Sequence, residues 1–431
     1  MCIRDRDYRT PRFDLDNVYG RGPDDQPYLY ADGISFLRGP ALSGATQNPN
    51  ATDLPRSQAT PMPGDDPAKP TRLRAIIGDP RNDENKIVSQ LQGLVHRFHN
   101  RIAKETGWAF PQVQRAVRFH YQWVVLHDFL TKIVSAAVLE AIVPGGMDNV
   151  GKTDARLKYF HPKDEAFMPL EFSAAAYRFG HSMVRPGYRM SDTVGPVPIF
   201  ALPAGAPPGA AVDLRGFMPP PEDWAMDWRR FINLEPLDYG ILVDNPDQTL
   251  PANKNRLQLA YKIDTSLVNP LALLPQSIAG DPVASLGARN LERGWRMRLP
   301  TGQDVARAMG LVPLEDKDIK LGKFTGVGAD IKMTIDQAAG GVFANNCPLW
   351  TYVLAETVPT DMIVVTTEGD KSIKTFQLGP VGGRIVAETF LGLMLADSSS
   401  YLSQNPLWVP TFGLENGIFG LRELIKYALG D

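Results

Sequence analysis

At 431 residues the chain can bury a large core, and length alone allows about three domains. A formal net charge of −3 with 22% charged residues implies no nucleic acid or other polyanionic partner. Two cysteines, Cys2 and Cys347, exclude a disulfide framework, and no apolar run is long enough to span a bilayer, because Tyr121 to Val143 is broken by His127, Asp128, Lys132 and Glu140.

The opening Met-Cys-Ile-Arg-Asp-Arg, residues 1–6, resembles the translation of a sequencing adapter and is set aside from fold reasoning. Residues 7 to 75 are rich in Pro, Gly, Asp and Asn and predict extended loops. Asp79 and Pro80 then read as the cap and first residue of a helix. Ile87, Leu91, Leu94, Val95, Phe98 and Ile102 give it an apolar stripe. A second helix is predicted from Pro111 to Ile142, and a short one between Pro169 and Pro186. Residues 187 to 250 return to a Pro/Gly-rich composition. Later helices are predicted over Pro282 to Arg293, Gln303 to Met309, Ile385 to Leu395 and Leu421 to Leu429. Between them, Ile319 to Met333 and Met362 to Phe376 predict short hairpins. The expected fold class is mainly α, one large helical domain over 7–431 with long loops and a few hairpins.

Four groups of residues are candidates for chemistry. In Ala176-Tyr-Arg-Phe-Gly-His181, Gly180 removes a side chain where a flat group could approach, and Arg178 lies three residues before the histidine. A histidine here is either an iron ligand or an ordinary structural residue. Arg81 and Glu84, three apart in Gly78-Asp-Pro-Arg81-Asn-Asp-Glu84, offer a cation that could polarise peroxide, or merely a solvated first turn. In Thr10-Pro-Arg12-Phe-Asp14-Leu-Asp16, alternate oxygens suit calcium or form a metal-free acidic turn. His96 and His99 share a spacing that suits two metal ligands, but no third ligand is near and they read as structural.

These motifs together resemble the animal-type haem peroxidase (peroxidase–cyclooxygenase) superfamily, and the scarcity of cysteine resembles a bacterial member. The resemblance runs from Thr10 to the C-terminus. It includes Phe98-His-Asn100-Arg-Ile-Ala103, Leu286-Gly-Ala-Arg-Asn290-Leu-Glu-Arg293-Gly294 with Leu299-Pro300, and Gly379-Pro-Val-Gly-Gly-Arg384-Ile-Val-Ala-Glu388. It implies haem b and calcium as cofactors. His181 would be the axial iron ligand with Asn290 behind it, and Arg178 and Arg293 would face the haem. Arg81 would be the distal arginine and Glu84 the haem-edge carboxylate, a candidate for an ester tether. Thr10, the Arg12 carbonyl, Asp14 and Asp16 would bind calcium. The implied activity is reduction of hydrogen peroxide with oxidation of a small donor, whether halide, thiocyanate or phenol, in a secreted or extracytoplasmic protein that responds to oxidative stress.

The chain departs from that pattern in four places. Asp16 replaces a serine, and Trp295-Arg-Met-Arg298 stands where the family continues Arg-Asp-His-Gly. Asn85 follows Glu84 in place of methionine, which excludes a sulfonium link to haem. The family's distal histidine lies upstream of the calcium loop, whereas no histidine here precedes His96. The expectation is therefore a domain that lacks its N-terminal distal-histidine segment and is impaired as it stands. Two alternatives differ in function. A fatty-acid dioxygenase of the same superfamily would carry a tyrosine where Arg178 stands, with Tyr177 adjacent. A secreted, non-enzymatic adhesion or matrix protein would keep the fold without the chemistry.

Overall fold

The computed structural model describes residues 9–57, 73–162, 166–200, 213–239, 256–279, 283–322 and 333–430. The adapter-like residues 1–6, the opening of the helix predicted from Pro282 and the middle of the 319–333 hairpin lie outside them.

Among the described residues the structure is mainly helical, with four two-stranded sheets. The longest helix is Lys86–Thr106. Asn85, in an extended conformation, caps it by accepting from Ile87 N, and Gly107 ends it at φ 65°. The expected start at Asp79 is corrected: Asp79 caps a separate 3₁₀ turn, Pro80–Asp83. Two caps six residues apart divide the segment. The Asn85–Arg215 bridge and the bond from Lys86 N to Leu214 O hold the division in place.

The helix predicted over 111–142 is also divided. Phe110–Trp123 is α-helical, Val124–Phe129 is a π-helical turn, and Leu130–Ile133 closes the run. Val134 then turns extended and bridges Leu378, so a new helix starts at Ala136–Ile142. The segment between the prolines becomes a short α-helix, Leu170–Ala174, followed by a 3₁₀ stretch, Ala176–Met183. The later predictions hold within a few residues, as Leu286–Arg296, Gly302–Ala308, Pro380–Ala396 and Leu421–Leu429. The 362–376 hairpin is longer than predicted. Val358–Thr366 pairs antiparallel with Gly369–Gln377, and Gly369 turns at φ 100°. Lys320–Leu321 pairs antiparallel with Met333–Thr334.

Two apolar clusters form the core. One surrounds Pro380–Ala396, a helix buried on nearly every side, and includes Ala176 and Phe179. Gly392 lets Phe160 pack against that helix, since a Cβ there would lie 2.6 Å from the Phe160 ring. The other cluster joins Lys86–Thr106 to Leu421–Leu429 through Phe98, Ile102, Leu424 and Ile425. Burying each such side chain contributes about 1.5–3 kcal/mol. Tyr121 and Trp123 pack against both clusters. The candidate site lies along this seam.

Candidate functional site

His181 sits near the end of the 3₁₀ stretch. Residues three apart eclipse one another in a 3₁₀ helix, so Arg178 and His181 share a side. Asn290, buried on the helix Leu286–Arg296, brings its Nδ2 to 2.8 Å from His181 Nδ1. Turning that amide by half a revolution, in place of the Oδ1 contact to Arg178, lets Nδ1–H donate to Oδ1 and frees the Nε2 lone pair for a metal. Arg178 Nε donates to Ser173 O at 3.0 Å, and its Nη1 lies 3.5 Å from Asn290 Oδ1. Trp350 Nε1 donates to Arg178 O at 3.3 Å, which fixes the backbone of the turn. Burial, aided by the Arg178 charge, holds the His181 imidazole down at about 4, so it is neutral at pH 7. Burial and the nearby Arg293 charge lower Arg178 in turn, so the two guanidiniums lie close enough to repel each other. A Cβ built on Gly180 meets nothing within 4 Å. The face beside His181 is open, cationic and backed by a neutral imidazole.

The Pro80–Asp83 turn presents Arg81 and Glu84 outside the long helix. Both are exposed, and Glu84 has no side-chain partner among the described residues. Asp79 accepts from Arg81 Nη2 at 2.7 Å and from Nε at 3.0 Å, and Arg9 Nε adds an ion pair to the same carboxylate at 2.7 Å. Burial pushes the Asp79 carboxyl up, but the hydrogen bonds and charges of Arg81 and Arg9 leave it below the ordinary range. Asp83 is not a solvated first-turn acid: buried, it pairs with Arg56 at 2.7 Å, while Arg56 also binds Asp53 at 2.6 Å. This carboxylate–guanidinium–carboxylate bridge anchors the turn. Arg56 lies in the Pro-rich N-terminal stretch, where sequence periodicity carries no signal.

In the N-terminal loop, Thr10 Oγ1 donates to Asp14 Oδ2 at 3.1 Å, and Thr10 N to Asp16 Oδ2 at 3.1 Å. Asp16 N donates to Asp14 Oδ1 at 3.1 Å, and Arg12 N to Thr10 Oγ1 at 3.3 Å. Leu15, between the two carboxylates, has φ 61°, a conformation L-residues rarely adopt. Burial, then the Asp14 charge, raises the Asp16 carboxyl. Thr10, Asp14 and Asp16 thus converge, but among the described residues no group of three or more His, Cys, Asp or Glu could hold a metal.

The loop and the Arg81 turn meet. Thr10, Arg12, Asp16, Arg81 and Tyr121 line one cavity of about 240 Å³. His181 is not on its wall. The groups between are aromatic: Phe390 packs against Phe13 at 5.1 Å and against Tyr177 at 5.3 Å between ring centroids. Burial raises the Tyr177 hydroxyl, and the nearby Tyr121 raises it further. Tyr121 therefore borders Arg81 on one side and Tyr177 on the other. Its apolar-face position in the Phe110–Trp123 helix masked this role in the sequence.

His96 and His99 have partners inside the fold. His99 Nδ1 is 2.9 Å from the Tyr19 hydroxyl and its Nε2 is 2.9 Å from Ile34 O. His96 Nε2 is 2.8 Å from Gln92 Nε2.

With that geometry in view, residues 6–203, just under half of the chain, match the family described as animal haem peroxidase. The chain is similar to thyroid peroxidase of Rattus norvegicus, 26% identical over 198 residues, covering 43% of this chain and 20% of that protein. It is also similar to the peroxidasin homolog of Mus musculus, 26% identical over 206 residues, covering 45% of this chain and 13% of that protein. The chain spans a fifth or less of the length of these two relatives. Among solved structures, peroxidase A from Dictyostelium discoideum shares the fold at a TM-score of 0.53 and 16% identity, over 97% of this chain and 68% of that one. No helix among the described residues is long and apolar enough to cross a membrane.

Proposed function

We propose that this chain is a haem-dependent peroxidase domain that reduces hydrogen peroxide and oxidises a small electron donor, whether halide, thiocyanate or phenol. The observation that carries the reading is the His181–Asn290 pair, a neutral imidazole with an amide behind one nitrogen. The residues present fit a haem on this side: the space over Gly180 is open, and Arg178 with the nearby Arg293 offers positive charge to propionates. Bound there, haem supplies the iron at which peroxide is reduced.

In this reading His181 gives its Nε2 lone pair to the metal while Asn290 fixes the ring and its tautomer. Arg81 supplies positive charge toward the oxygen on which negative charge develops. Glu84, exposed beside it, is the haem-edge carboxylate and the candidate for an ester tether. Thr10, the Arg12 carbonyl, Asp14 and Asp16 form a weak calcium site, consistent with the raised Asp16 carboxyl awaiting a counter-charge. The protein acts outside the cytoplasm.

Haem titration of the 431-residue chain tests the proposal, with a five-coordinate ferric spectrum expected. His181→Ala should abolish it, and Asn290→Ala should weaken haem retention about 10–100-fold. An unchanged spectrum in His181→Ala means that the iron is held elsewhere. A folded chain that binds no haem at all favours the adhesion or matrix reading.

A further inference from the structure

The π-helical turn Val124–Phe129 breaks the regular ladder of its helix and carries His127. The imidazole stacks on Trp123, with centroids 3.7 Å apart and planes 14° from parallel. Its Nε2 faces the Tyr401 hydroxyl at 3.2 Å, and its Nδ1 faces Asp148 Oδ1 at 3.9 Å. Tyr401 is fully buried, and Gln122 Oε1 accepts from its backbone N at 2.9 Å. Its ring lies 5.8 Å from Trp408 and 6.1 Å from Trp123, and those two indoles are 6.1 Å apart. Three of the side chains easiest to oxidise by one electron are thus packed in a triangle against one imidazole.

We propose that Tyr401 and His127, with Trp123 and Trp408 packed on Tyr401, form a proton-coupled redox site that holds one oxidising equivalent. A phenol in a dry interior cannot lose an electron alone, because its radical cation must shed a proton and needs an acceptor within hydrogen-bond reach. His127 Nε2 is that acceptor. Burial holds the imidazole down at about 4, so its lone pair is free at neutral pH. Once protonated, it rests on the face of Trp123 and opposite Asp148, two contacts that stabilise a cation.

The step balances. An indole, Trp123 or Trp408, gives one electron to a one-electron oxidant. Tyr401 returns an electron to that indole and passes its hydroxyl proton to His127 Nε2, leaving a neutral tyrosyl radical hydrogen-bonded to an imidazolium. A one-electron donor such as a phenol in solvent then gives an electron and releases its own proton to water, and the proton on Nε2 returns to the tyrosyl oxygen. His127, Asp128, Lys132, Glu235 and Arg422 line an open groove of about 640 Å³ through which such a donor reaches the pair. Use of the pair to serve donors too bulky for a haem cavity rests on the peroxidase reading. Its redox chemistry does not.

Pulse radiolysis of the full chain with azide radical as oxidant tests the site without haem. Indolyl absorption should decay as tyrosyl absorption grows, at a rate independent of protein concentration. Tyr401→Phe should remove most of that growth. His127→Gln, which keeps a hydrogen bond to the phenol but is a poor proton acceptor, should slow it about a hundredfold. Tyrosyl growth unchanged in amplitude in Tyr401→Phe, or unchanged in rate in His127→Gln, overturns the proposal. Should Tyr401→Phe misfold, as circular dichroism would reveal, the His127→Gln rate decides alone. Failure here leaves the peroxidase reading standing, and failure to bind haem leaves this result unaffected.

Discussion

The Asp79 carboxylate does two things for Arg81: it caps the turn by accepting from Arg81 N at 2.8 Å, and it grips the guanidinium through Nη2 at 2.7 Å. The side chain that would act on peroxide is therefore aimed by the residue that starts its turn. An arginine that is 61% exposed would otherwise sample many rotamers.

Asp79→Ala should consequently separate two losses. Losing the cap should cost about 0.5–2 kcal/mol in chemical denaturation. Releasing Arg81 should slow the reaction of the haem-loaded chain with peroxide without changing haem affinity. Asp79→Asn keeps the cap acceptor but weakens the grip, and so should restore most of the stability and little of the rate. Equal recovery of both would show that the grip on the guanidinium is irrelevant.

Gly180 provides a second test. The space around its Cβ position is empty and its φ is not in the left-handed region, so a side chain there strains nothing in the chain as described. Gly180→Leu should leave thermal stability of the haem-free chain unchanged or raise it by up to about 1 kcal/mol. The same change should sharply weaken haem binding, because the leucine occupies the face beside His181. If haem titrates as in the wild type, the cofactor does not lie over that face.

These two cases also show what the sequence could and could not disclose. The Arg178–Gly180–His181 spacing and the Asn290–Arg293 spacing were readable because each is local, and the fold only had to bring the two segments together. The grip of Asp79 on Arg81 was hidden because Asp79 read as a helix cap, which it is, for a shorter 3₁₀ turn. Arg56 was invisible because a buried ion pair between residues 27 apart leaves no periodic trace. The break at Val134 was equally hidden, since it depends on pairing with Leu378 far along the chain. Tyr121 carried no motif in the sequence, and its value lies in what it borders on both sides.

Buried histidines make acid stability a third prediction. Burial holds His99, His120 and His127 at about 4 and His96 at about 3, against an ordinary value of 6.5. His120 shows why: its Nε2 accepts from Thr411 N and Phe412 N, both at 3.1 Å, so a proton there would face two other donors. Above 6.5 these imidazoles are neutral in folded and unfolded chain alike, and their full contribution is present. As pH falls from about 6.5 toward about 4, only the unfolded chain takes up protons, so stability drops. Glu356, buried and raised to about 8, works with the opposite sign, as do the raised Asp16 and Asp83 carboxyls, whereas His181 adds a fifth depressed imidazole to the dominant side. The melting temperature should therefore fall steeply between pH 6.5 and 4, and the His120→Asn variant should melt lower at neutral pH and fall less. A flat melting temperature across that window would refute the assignment of these histidines to a neutral interior.

The last prediction concerns the first proton of peroxide. A positioned base contributes about a hundred- to ten-thousandfold to such a step. Arg81 can stabilise developing charge, but no imidazole lines its cavity among the described residues. His96, His99, His120 and His127 are each committed to partners inside the fold. Tyr121, the titratable neighbour of Arg81 on the seam, is buried and raised above the usual phenol range, which suits it poorly as a base. The haem-loaded 431-residue chain should therefore react with peroxide slower by about a hundred- to ten-thousandfold than the same chain extended at its N-terminus by a segment bearing a histidine–aspartate pair. Arg81→Gln should slow the extended chain again, since charge stabilisation and proton transfer act on the same bond. Stopped-flow mixing with excess peroxide measures both rates. Equal rates with and without the added segment would mean that the base is already present, and His96 and His99, on the long helix that follows Arg81, would be the first to substitute.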